Sequence, residues 1–234
     1  MTGRVLLAVL LGGIAAGLIM GMIQHVRLTP LILAAEVYEQ GGGHDHAADA
    51  TAAATATETA AEPEEWAPTD GLERSFYTTA ASMLTGAGFA IVLAGISLLV
   101  GLPLTAGNGA IWGLCGFLAV MLAPSAGLPP ELPGMPAADL EARQIWWFAT
   151  IAATAIAVFL VARRREAWPF AMILIVLPHV FGAPQPTSHE TAVPAGLAAL
   201  FAANSLAAGA IFWSLIGIFT GMALDRHGKG VRAA

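Results

Sequence analysis

In a chain of 234 residues, 57% are hydrophobic and only 11% are charged, whereas a soluble domain carries about 25% charged residues. The net charge of −6 argues against nucleic-acid binding, which needs a basic face. The single cysteine, Cys115, lies in an apolar run and rules out an internal disulfide framework.

Arg4 precedes an apolar run from Val5 to Val26, which Arg27 ends. A secretory signal has an apolar core of roughly 7–15 residues followed by a small-residue cleavage site. This run is longer and can cross a bilayer core of roughly 30 Å. It therefore reads as a retained span 1, with Leu33-Ala34-Ala35 as a faint cleavage-like string. Residues 27–75 are polar. Within them, 41–68 are rich in Ala, Thr, Glu and Gly, a composition that buries too little apolar surface to offset its ordering entropy. A flexible, acidic, histidine-containing extracytoplasmic loop is expected there, inside one transmembrane domain that covers 1–234.

No charged residue occurs from Ser75 to Pro130, a run too long for one span. Gly101-Leu102-Pro103 and Gly107-Asn108-Gly109 are turn signals that divide it. Span 2 is then Thr78–Val100 and span 3 Gly109–Ala126, joined as an antiparallel hairpin. A proline-rich loop, Gly127–Gly134, follows. Span 4 is Gln144–Ala162, ending at Arg163-Arg164-Arg165. Span 5, Trp168–Gly182, is short and contains Pro178-His179, and span 6 is Gly196–Leu224. The fold class is all-α, a polytopic transmembrane helix bundle of about six spans.

Lysine and arginine placement sets orientation. With both termini in the cytoplasm, Arg4, the three arginines 163–165, Arg226, Lys229 and Arg232 fall inside, and Arg27, Arg74 and Arg143 fall outside. Most acids fall outside, many of them between spans 1 and 2. An acidic outer face concentrates cations, although outer loops also need charge simply for solubility. Without span 5 the tail would lie opposite the triple arginine.

Glycines recur every four residues at Gly13, Gly17 and Gly21, at Gly109 and Gly113, and at Gly217 and Gly221. Such spacing lets helix backbones approach closely, so these stripes are expected to pack inside the bundle. Trp66, Trp146, Trp147 and Trp168 lie near predicted boundaries, where an interfacial belt belongs.

Enzyme signatures are missing. Lys229 is the only lysine and has no P-loop around it. No paired cysteines, no Gly-x-Ser-x-Gly elbow and no zinc-protease histidine pair occur. Neither catalysis nor a resident cofactor is expected. Histidines and acids carry more information, because imidazole and carboxylate suit borderline divalent ions. His25 ends span 1, and is either a polar cap or a ligand. His44 and His46 flank Asp45, as a weak metal trap or as polar filler. His179 follows Pro178, where a broken helix makes either a ligand site or a cap. Asn204 is either a link between helices or a ligand.

Several strings, taken in order, carry a resemblance. They are Thr29-Pro30-Leu31-Ile32 with Glu36, Tyr38 and Glu39; Glu65-Trp66-Ala67-Pro68; Asp70-Gly71-Leu72-Glu73-Arg74; Gly127 to Gly134; Ala137-Ala138-Asp139-Leu140 with Arg143-Gln144 and Trp146-Trp147; and Pro178-His179 with Gly182-Ala183-Pro184. Nearly end to end, the chain resembles the CbtA family of cobalt transporter subunits. The resemblance implies a multi-pass cobalt permease of the bacterial inner membrane, linked to cobalamin supply. It also implies a small one-span partner with a histidine-rich end. Since the shared strings gather at the predicted outer face, a divalent-metal entry site is expected there, with His179 and Glu131 as the first ligands and His25 and Glu36 next. The competing reading is a non-transporting scaffold or sensor that captures metal for a partner. Cobalt against nickel, and the energy source, stay open.

Overall fold

A computed structural model describes residues 3–42, 68–69 and 71–232. The His44-Asp45-His46 string, Trp66 and nearly all of the expected flexible loop lie outside the described residues. Among those that are described, every regular element is helical. α1 (Gly3–Ile23) passes through a π-helical turn, Gln24–Leu28, into α2 (Thr29–Gly42). α3 is Leu72–Val100. α4 (Gly109–Phe117) passes through a second π turn, Leu118–Leu122, into α5 (Ala123–Ser125). α6 (Leu140–Arg163), α7 (Trp168–Phe181) and α8 (Ala195–Arg232) complete the chain.

The two π turns have one cause. Each ends two residues before a proline, Pro30 or Pro124, that lacks an N–H and whose ring crowds the carbonyl four residues back. Widening the turn relieves that crowding, and Thr29 N–H and Ala123 N–H donate to Gln24 O and Leu118 O. Thr29-Pro30 therefore does not end the first helix. The expected end of span 1 at Val26 is corrected, since the rod continues through Gly42.

Four helical stretches are long and apolar enough to cross a membrane: Gly3–Tyr38, Leu72–Val100, Leu140–Arg163 and Ala195–Arg226. The stretch Gly109–Ser125 and α7 are shorter, about 26 Å and about 21 Å. Side-chain burial is that of a membrane bundle. Fully buried positions are mostly small, such as Ala16, Ala90, Thr150 and Thr220, while Leu99 and Phe181 are more than 80% exposed, at 89% and 81%. Large apolar side chains are exposed along α1, α3, α6, α7 and α8 alike, far more continuous apolar surface than a soluble domain presents.

The glycine stripes pack as expected. A methyl group on Gly13 or Gly17 would run into the α3 backbone at Gly86–Ala87 or Ser82–Met83. On Gly109 or Gly113 it would meet the α8 backbone at Gly217 or Trp213. These contacts fix direction. Gly13 faces Gly86 and Gly21 faces Thr79, so α1 and α3 are antiparallel, and the same reasoning makes α4 antiparallel to α8. Trp146 Nε1 donates to Pro178 O at 3.1 Å, which makes α7 antiparallel to α6.

Polar bonds then tie the ends together. Arg163 donates to Val100 O, and Ala106 N–H donates to Asp225 Oδ2 at 2.8 Å. The ends of α3, α6 and α8 thus meet at one basic end. At the opposite, acidic end a second small core forms from Ala35 of α2, Leu132 and Val193, with Ile32, Met135 and Leu197 around it. Thr191 Oγ1 donates to Gly134 O at 3.0 Å. The proline-rich loop is thereby part of a packed cap.

Candidate functional site

The acidic end holds all four sequence-predicted ligands, in three separate places. His25 sits in the first π turn, exposed, with Nδ1 3.0 Å from Ser75 Oγ at the start of α3. Beside that serine on α3, Arg74 Nη2 lies 2.6 Å from Glu36 Oε1 of α2. His25, Arg74 and Ser75 border a small cavity of about 110 Å³. Glu36 does not offer an empty carboxylate there, since a guanidinium already holds it.

Glu131 belongs to the second place. Its Oε2 accepts from Arg143 Nη2 at 3.1 Å, joining the cap loop to the first turns of α6. Asp139 caps that helix, accepting from Ala142 N–H at 2.9 Å, which fixes where Arg143 projects. Glu131 and Arg143 line an open cleft of about 670 Å³. Gln144, Ser125, Thr85, Met20, Phe89 and Trp213 also line it. The rings of Phe89 and Trp213 pack at a tilt of 35° with centroids 4.6 Å apart.

His179 is the third place. It is half-buried near the end of α7, edge-on to Trp146 at 5.5 Å. Gly182 follows in the left-handed region at φ 85°, and its N–H donates to both Pro178 O and His179 O at 3.2 Å. Trp146 is buried and bonded to Pro178 O, so it links α6 to α7. Trp168, by contrast, is exposed.

No three His, Cys, Asp or Glu side chains gather into a metal-holding group among the described residues. What sequence reasoning missed are the arginines. Each of the three that defy the inside majority has a partner on another segment: Arg27 with Asn204 Oδ1 at 3.2 Å, Arg74 with Glu36, and Arg143 with Glu131. Their minority placement was the available signal. Asn204 does serve as a link between helices, from α8 to the first π turn.

The cleft thus carries one arginine-held carboxylate, a few neutral polar groups and a mostly apolar lining. The family described as "Probable cobalt transporter subunit (CbtA)" matches residues 2–225. No curated protein and no solved structure matches the chain.

Proposed function

From the premise that this chain belongs to the CbtA family of cobalt transporter subunits, we propose that it is the multi-pass membrane subunit through which a divalent cation, Co²⁺, enters a bacterial cell across the inner membrane to supply cobalamin synthesis. The match over residues 2–225 is the observation that carries this reading. It works as a six-span bundle with both termini in the cytoplasm, alongside a small one-span histidine-rich partner, and it is no enzyme. Cations enter at the acidic end. Glu131, His179, His25 and Glu36 are the metal-contacting residues of that entry, used in passing and with waters retained, because a transport site must release what it binds. The arrangement in three places suits successive weak contacts better than one tight cage.

Radiolabelled Co²⁺ uptake tests the proposal, in cells lacking other cobalt routes. Uptake that needs this chain and falls with Glu131→Gln and His179→Ala supports it. Metal bound by the chain with no uptake at any concentration would refute transport and leave a capturing scaffold.

A further inference from the structure

Arg143 stands where an incoming cation would have to stand. Its guanidinium lies 3.1 Å from Glu131, and both side chains line the cleft mouth. Among the described residues lining the cleft, these two are the only charged ones. Both remain partly exposed, 31% for Arg143 and 24% for Glu131, so an ion arriving from the acidic end can reach the pair. The other polar groups of the lining, Gln144, Ser125 and Thr85, are neutral, and the rest of it is mostly apolar. The guanidinium gives the Glu131 carboxylate a charge-assisted partner while no other cation is there.

We infer that Arg143 is a tethered stand-in for the transported cation. It neutralises Glu131 while the cleft is empty and gives up the carboxylate when a divalent ion arrives. The inference rests on the transport reading and adds a residue that sets affinity and selectivity. A tethered positive charge competes at a high effective concentration. A free monovalent cation, carrying the same charge without the tether, loses that competition. A divalent cation, with twice the charge on the same oxygen, wins it. The cost of parting the pair also keeps binding weak, which favours release into the cleft. The Glu36–Arg74 pair is a poorer candidate, because its cavity is about 110 Å³ and is bordered by Arg74 and His25.

The test measures the Co²⁺ concentration for half-maximal uptake. Arg143→Gln is expected to lower it about fivefold, which corresponds to about 1 kcal/mol for a partly exposed ion pair. The gain should vanish when Glu131→Gln is combined with it. Arg143→Lys keeps the charge but loses the planar fork, so a smaller gain is expected. This variant also serves if Arg143→Gln does not accumulate. An unchanged or raised half-saturation in the Arg143 variants, with wild-type uptake intact, overturns the inference and makes the pair a structural tie. Equilibrium Co²⁺ binding to the purified full chain reads the same order without transport. A wild type that binds but does not transport therefore refutes the transport reading, while the binding order still judges Arg143.

Discussion

Replacing Gly17 by alanine should loosen the contact between α1 and α3. A methyl group there would lie 2.6 Å from the Ser82 carbonyl carbon, against 3.4 Å or more for ordinary contact. The neighbouring atoms are backbone, so no side chain can turn aside, and the two helices must separate by roughly 1 Å locally. Overpacking of this kind costs about 1–3 kcal/mol. Alanine also gains about 0.5–1 kcal/mol over glycine in a helix interior. Gly88→Ala on α3 carries the same gain with nothing within 4 Å of the added methyl. Comparing the two variants cancels the propensity gain and isolates the packing cost. Thermal unfolding of the purified protein in detergent, followed by tryptophan fluorescence, should place Gly17→Ala below Gly88→Ala by that margin. If the two melt together, backbone-on-backbone packing is not what holds α1 to α3.

Two further outcomes are expected. Trp146→Phe keeps most of the buried ring but removes the bond to Pro178 O, so stability in the same melt should fall by about 1 kcal/mol. Topology reporters should read cytoplasmic when fused after Arg165 and periplasmic when fused after Glu190; both on one side would remove α7 as a crossing.

Sequence reasoning reaches the helices and their contacts more readily than the site. Glycines four apart have few uses in an apolar helix, which is why Gly13, Gly17, Gly113 and Gly217 announce their packing faces. Their counterpart on α3 is less conspicuous, because Ser82, Gly86, Ala90 and Ala94 keep the four-residue spacing but mix residue types, so a search for glycine alone passes over it. Arg27 looks like the end of the first helix, because no local pattern announces the widened turn that carries the helix past it and on through Pro30. The candidate ligands share one end of the bundle, but their partners are hidden in the sequence. An ion pair such as Arg143–Glu131 joins positions 12 residues apart across a turn, and Arg74–Glu36 joins positions 38 apart. Pairing of that kind depends on where the cap closes, which no local pattern records. The four candidates therefore stand as two arginine-held carboxylates and two histidines with neighbours of their own.

The clamp on the loop after α3 bears on how the protein is made. That loop emerges early, but the Asp225 carboxylate that holds Ala106 follows 119 residues later. At about 5–20 residues per second, the hairpin waits roughly 6–24 s for it. The same delay applies to α4, because the glycines it offers at Gly109 and Gly113 have their partners on α8. During synthesis α1 and α3 can zip together while α4 stands unpartnered in the bilayer. Assembly therefore has two stages, an early α1–α3 pairing and a later closure by α8 at the basic end, and interruption of the chain before α8 would forfeit only the second.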